Sequence, residues 1–247
     1  MKDEKLPFLA HLTELRNRLL VAVVAFGIGL VFTYSYKEQI FAILMHPFVT
    51  IMPKGSSFIF TSVTEAFMAY FKLSLVAAVF VSSPVILYEL WMFVSPGLYE
   101  KEKRYVFPFI TFGSALFAAG ILFCYFFVMP FLFRFFVGFG SDFVVPMPSL
   151  KEYIGLAIRL LVMFGLMFEM PLLVYYLAKI GVIKYDTLAR KRRYAILGIF
   201  VVSAVITPPD VASQMLMVVP LYGLYEVSVI IARFVGKKKE DKKRVSD

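Results

Sequence analysis

The sequence predicts an all-α integral membrane protein, a bundle of six transmembrane helices. Three observations carry that reading. The 247 residues are 60% hydrophobic and only 17% charged, against roughly 25% charged in a water-soluble domain. The apolar residues fall in long uninterrupted runs of membrane-crossing length. Most of the 26 Lys and Arg are confined to short interruptions between those runs.

A leader, residues 1–18, opens the chain. After Pro7, a favoured first-turn residue, Leu9, Leu12, Leu15 and Leu19 form one stripe of a helix and His11, Glu14 and Arg18 the opposite one. This wheel predicts an interfacial helix that then turns into the first span. Spans follow at Leu19–Tyr36, Phe67–Val94, Val106–Val137, Ile154–Leu177, Tyr194–Ile206 and Val211–Phe234. The fifth is short, about 20 Å at 1.5 Å per residue, so it is expected to thin the bilayer locally, sit against longer neighbours, or both. Ser35-x-x-Glu38, Ser62-x-x-Glu65 and Ser149-x-x-Glu152 have capping-box spacing and predict capped helix starts. Pro84, Pro130 and Pro171 predict kinks, hence a concave bundle. Residues 1–235 form one domain, and the charged stretch 236–247 has almost nothing to bury and reads as a disordered tail.

Lys and Arg concentrate in the leader, the second-to-third connection, the fourth-to-fifth connection and the tail. The positive-inside rule then places both termini in the cytoplasm. The net charge of +9 is explained by membrane orientation, so no nucleic-acid partner is expected. Cys124 is the only cysteine, which excludes an intrachain disulfide, and it reads as a small core residue. Nucleophile, metal and phosphate-loop motifs are missing, and only His11 and His46 could serve acid-base or metal chemistry. Neither an enzyme nor a cofactor or metal site is expected.

Among the candidate residues, Glu169 stands alone inside the fourth apolar run. A charge in hydrocarbon costs at least ~2.5 kcal/mol, so such a group usually faces a cavity, a partner chain or a ligand. A hydrogen bond to a neighbouring helix and protonation are the plainer alternatives, and Gln214 is a polar group that could meet it across the bundle. Glu14 reads as a cytoplasmic acceptor or simply a solvated charge, and Arg16 as a group that snorkels to lipid phosphate or pairs with a carboxylate of the bundle. Glu100 and Glu102 are acids in a basic loop, where a carboxylate can hold an Arg through paired hydrogen bonds that Lys cannot copy. Glu89 and Glu226 fit helix ends at the boundary, and Ala115-x-x-x-Ala119 has the spacing of a close helix contact.

Several motifs in order carry a resemblance: His11-Leu-Thr-Glu14-Leu-Arg16-Asn-Arg18-Leu, Ser83-Pro84-Val-Ile-Leu-Tyr88, Trp91-x-Phe93-x-x-Pro96-x-Leu98-Tyr99-x-x-Glu102, Phe164-Gly165-x-x-Phe168-Glu169-x-Pro171 and Thr207-Pro208-Pro209-Asp210-x-x-Ser213-Gln214. Together they resemble the TatC family, the receptor subunit of the twin-arginine protein translocase. The resemblance implies a six-helix bundle shaped like a cupped hand in the cell inner membrane. It implies binding of twin-arginine signal peptides of folded cargo at the cytoplasmic face, and recruitment of TatA-type and TatB-type single-helix subunits for export driven by the proton-motive force. Further copies of the chain are expected partners. By motif position, Glu14 and Glu102 would receive the arginine pair, with Phe93 and Arg16 in the same region. Glu169 and Gln214 would contact the partner helix, and Pro47 in the first outer loop and Asp210 in the tight turn would serve assembly or function. Lys103 stands where many members carry Arg. The competing expectation is a proton-coupled secondary transporter using Glu169, although no internal repeat of the transporter kind is visible.

Overall fold

From Phe8 to Ser35 the leader and first span form a single helix, α1. No proline interrupts this stretch, and Leu, Glu and Arg are good helix formers, so the expected turn between an interfacial leader and the span is not there. The computed structural model describes the backbone of residues 8–53, 56–60, 62–94, 106–140, 146–207 and 210–246, and the side chains of 12–53, 56–60, 62–93, 108–140, 146–207 and 210–236. Its helices continue with α2 (Lys37–Val49), α3 (Glu65–Val94), α4 (Val106–Phe123), a π-helical turn (Cys124–Val128), α5 (Met129–Val137), α6 (Leu150–Phe168), α7 (Met170–Ile180), α8 (Tyr185–Arg190), α9 (Arg192–Ile206) and α10 (Val211–Ser246). No strand occurs among the described residues, only an isolated bridge between Ile59 and Ser149.

Among the described residues five helical segments are long and apolar enough to cross a membrane: Leu12–Ser35, Glu65–Phe93, Pro108–Val137, Leu150–Ile180 and Val211–Gly236. The remaining expected span is α9, whose 15 residues reach about 22 Å. The last helix, α10, runs on to Ser246. Its Lys and Glu residues are good helix formers that extend the register already set by the span.

The chain divides into two compact units, Met1–Leu44 with Thr64–Ala115 and Met45–Val63 with Leu116–Asp247. The division follows packing, since each helix buries itself on few neighbours. In the first unit α1 and α3 run antiparallel. Thr33 Oγ1 donates to the Ser74 carbonyl at 2.9 Å, Phe41 and Tyr70 rings lie 4.9 Å apart, and a Cβ at Gly29 would stand 3.2 Å from the Ala78 carbonyl oxygen. Pro84 lies inside α3 without ending it. The carbonyl that Pro84 has no N–H to serve is that of Phe80, and the Ser83 hydroxyl donates to it at 2.8 Å.

In the second unit Pro130 follows the π-helical turn directly, so the extra residue of the turn absorbs the lost hydrogen bond. The close contact between α4 and α6 is made at Gly120. A Cβ there would lie 2.5 Å from the Phe164 carbonyl oxygen, and one at Gly165 would lie 2.8 Å from the Phe117 ring. Ala115 and Ala119 are exposed. Phe117, Gly120 and the fully buried Cys124 form the packing face instead, about 100–180° round the helix from the alanines. Phe48, Phe58, Phe133 and Tyr153 cluster with ring centroids 4.9–5.2 Å apart. On the far side α7 packs on α10 through Val174, Ala178 and Ala232.

Capping differs from the sequence pattern. Ser149 precedes α6 as expected, but its side chain makes no capping hydrogen bond, and the backbone there pairs with Ile59. Ser35 closes α1 and donates to the Val31 carbonyl.

Candidate functional site

Antiparallel packing of α1 on α3 brings together ionisable groups that are 71 residues apart in sequence. Arg18 Nη1 donates to Glu89 Oε2 at 3.1 Å, and Nη2 donates to Glu14 Oε1 at 3.4 Å from one turn earlier on α1. Glu89 is only 8% exposed, whereas Glu14 and Arg18 each keep about a quarter of their side chain in the open. A cavity of about 350 Å³ is lined by Glu14, Asn17, Arg18, Val21 and Glu89. Two carboxylates face one guanidinium, so the cluster carries one net negative charge, and a cationic group is the ligand such a cavity favours.

Arg16 stands apart from this cluster. It is exposed and donates to the neighbouring Asn17 Oδ1 at 3.3 Å. Phe93 lies one turn after Glu89 on α3 and is half-buried. Trp91 between them stacks on Phe109 with centroids 4.1 Å apart. Glu102, with Glu100 and Lys103, lies outside the described residues.

In the second unit Glu169 occupies the joint where one span breaks into two helices. It closes α6 and opens α7, and Pro171 falls in the first turn of α7. Lacking an N–H, Pro171 cannot bond back to Met167, so the helix is interrupted here and resumes through Leu173 N–H to the Glu169 carbonyl at 3.0 Å. Glu169 is 7% exposed. Its Oε1 is buried and has no hydrogen-bond partner among the described residues.

Gln214 does not meet Glu169. Its Nε2 donates to the Phe200 carbonyl at 2.9 Å and ties α10 to α9. Asp210 caps α10, since Ser213 N–H donates to Asp210 Oδ1 at 2.7 Å and the Ser213 hydroxyl donates to Oδ2. Pro47, expected in a loop, lies buried within α2. Arg159 does not pair with Glu169 either, and its Nε donates to the Gly155 carbonyl at 3.0 Å.

A second ion pair was not anticipated. Arg192, the first residue of α9, is bidentate on Glu226 of α10 at 2.8 and 2.9 Å, and the Tyr222 hydroxyl donates to the same carboxylate at 2.7 Å. The cue in the sequence was an acid and a base at the ends of neighbouring spans, but their 34-residue separation hides the pairing.

Residues 10–220 match the family described as Sec-independent protein translocase protein (TatC). The chain is 48% identical over 239 residues to the Sec-independent protein translocase protein TatC of Desulforapulum autotrophicum, covering 97% of this chain and 88% of that one. It is 42% identical over 235 residues to the protein of that name from Campylobacter jejuni, covering 94% and 96%. Among solved structures it is similar to a crystal structure of the twin arginine translocase receptor TatC, with a TM-score of 0.84 and 39% identity over 91% of this chain and 99% of that one. A second crystal structure of that receptor, in DDM, gives 0.82 over 90% and 99%. With a family match across most of its length and relatives this similar, the chain belongs to the TatC family and is a membrane-embedded component of the Sec-independent protein translocase.

Proposed function

We propose that this chain is the receptor subunit of a twin-arginine translocase in the cell inner membrane, binding the arginine pair of signal peptides on folded cargo. The observation that carries the reading is its likeness to the twin arginine translocase receptor over nearly the whole length of both chains. The carboxylate cluster on α1 and α3 supports it. Arg18 is shared between Glu89 and Glu14, and its contact with Glu14 is the longer and more exposed. Glu14 therefore keeps acceptor capacity for an incoming guanidinium. Glu102 supplies the second acceptor, and Phe93 and Arg16 border the same region. Two carboxylates against two planar guanidiniums discriminate Arg-Arg from Lys-Lys, because only the guanidinium makes two parallel hydrogen bonds.

In this reading α9 is the sixth span and both termini are cytoplasmic, in keeping with the distribution of Lys and Arg. Glu169 and Gln214 serve contact with TatA-type and TatB-type single-helix subunits, further copies of the chain join the complex, and Pro47 within α2 and Asp210 at the start of α10 serve assembly or function. The translocase relatives lend no support to a proton-coupled secondary transporter, and no catalytic activity is indicated.

The test is site-specific crosslinking of a twin-arginine signal peptide in intact membranes. Glu14→Gln with Glu102→Gln abolishes the crosslink while the protein stays inserted, and an Arg-Arg→Lys-Lys peptide crosslinks far less to the unaltered protein. Equal crosslinking of both peptides overturns the bidentate account.

A further inference from the structure

A second cavity, about 670 Å³, lies in the second unit where α5 and α9 end and α6 begins. That volume is in the range of small-molecule sites. Its wall is mainly apolar, with Phe136, Leu156 and Ile206 prominent, and two ionisable side chains line it, Glu152 and Arg159. Both are exposed, and they do not form an ion pair with each other. Spaced seven apart on α6, they share one face, with Arg159 ~10 Å deeper along the axis. The Arg159 side chain turns back toward Glu152. Its Nε donates to the Gly155 carbonyl, one turn nearer the start of α6, and Nη2 lies 3.7 Å from where a Gly155 Cβ would be. The guanidinium is thereby brought to within about one turn, ~5 Å, of the level of Glu152.

The depth of this pair follows from helix length. Leu150–Ile180 contains 31 residues and extends ~46 Å, well beyond the ~30 Å of hydrocarbon. With Lys179 at one interface, about 20 residues back along the span reach the other interface at Arg159. The same level is marked independently by α9, whose final turn supplies Ile206 and, just beyond it, Thr207 to the cavity wall. Arg159 thus stands at the boundary between acyl chains and headgroups, with apolar wall beside it and a carboxylate farther out.

We propose that this cavity is a binding site for one phosphatidylethanolamine molecule, its phosphate on Arg159 and its ammonium on Glu152. The order of charges along the membrane normal is the argument. In this lipid the phosphate adjoins the glycerol and the cationic amine is distal, which matches a cation at the boundary and an anion outside it. A headgroup without a distal cation satisfies Arg159 but leaves Glu152 without a counter-charge.

The test is native mass spectrometry of the full chain, delipidated in mild detergent and titrated with phosphatidylethanolamine or phosphatidylglycerol. One phosphatidylethanolamine is expected to be retained about ten-fold more tightly than phosphatidylglycerol. Arg159→Gln removes tight retention of both, Arg159→Lys keeps part of it, and Glu152→Gln erases the preference between them. Helical content by circular dichroism stays unchanged in all three, because Arg159 bonds only its own helix. Wild-type retention in Arg159→Gln, equal or stronger binding of phosphatidylglycerol to the unaltered chain, or a preference that survives Glu152→Gln overturns the proposal. So does a dimer that forms without bound lipid and is lost in Arg159→Gln.

Discussion

Replacing Glu89 with Gln keeps the side chain's shape and removes its charge, leaving Arg18 with only the 3.4 Å contact to Glu14. Fully exposed ion pairs contribute about 0–1 kcal/mol, and breaking fully buried ones costs about 3–5 kcal/mol. Here the Glu89 side chain is 10% exposed and that of Arg18 27%, so the loss falls between those limits, about 2 kcal/mol. For a chain of this size each kcal/mol moves the melting temperature by roughly 2–4 °C, giving an expected drop of about 4–8 °C. The single tryptophan, Trp91, stacks on Phe109 two residues from Glu89, so its fluorescence during thermal unfolding in mild detergent reports on the affected helix pair. Arg18→Gln with Glu89→Gln removes both charges and recovers most of the loss, because the only ion left without its partner is Glu14, which keeps about a quarter of its side chain in the open. A melting point for Glu89→Gln within about 1 °C of the parent, well inside the shift expected for such a pair, refutes the reasoning. So do losses that simply add in the double variant, as they do for independent sites.

Further substitutions probe three other joints of the fold. Gly120→Ala drives a methyl to 2.5 Å from the Phe164 carbonyl oxygen and should cost about 1–3 kcal/mol by overpacking, whereas Gly198→Ala, with nothing within 4 Å, should be neutral or slightly stabilising; thermal unfolding compares the two. Asp210→Ala removes the cap of α10, with an expected cost of about 1 kcal/mol and faster amide exchange confined to its first turn, while Asp210→Asn keeps most of the cap. Arg192→Lys replaces two parallel bonds to Glu226 with a point contact, so a cysteine pair across α9 and α10 should crosslink more slowly than in the parent.

Hydropathy made most helices legible, because the cost of placing polar backbone in lipid forces long apolar runs to be helical. What sequence periodicity left open was which face packs and which charges meet. The alanine pair in α4 carries the spacing of a contact, yet the contact lies at Gly120, because only the neighbouring helix decides the rotation. Prolines that look alike have three outcomes: Pro84 is compensated by the Ser83 hydroxyl, Pro130 follows a π-helical turn, and Pro171 breaks the span. Glu14 and Arg18 were visible as one stripe of a helix, but Glu89, far along the chain, reads as an ordinary boundary residue until α3 folds back.

The interruption at Glu169 gives the two halves of one span different companions. Upstream, glycine contacts lock α6 against α4, and downstream α7 is pressed onto α10. Between those two contacts the joint lacks the one helical hydrogen bond that Pro171 cannot make. Glu169 sits at that joint, so a change in the bend there would carry its buried carboxylate along.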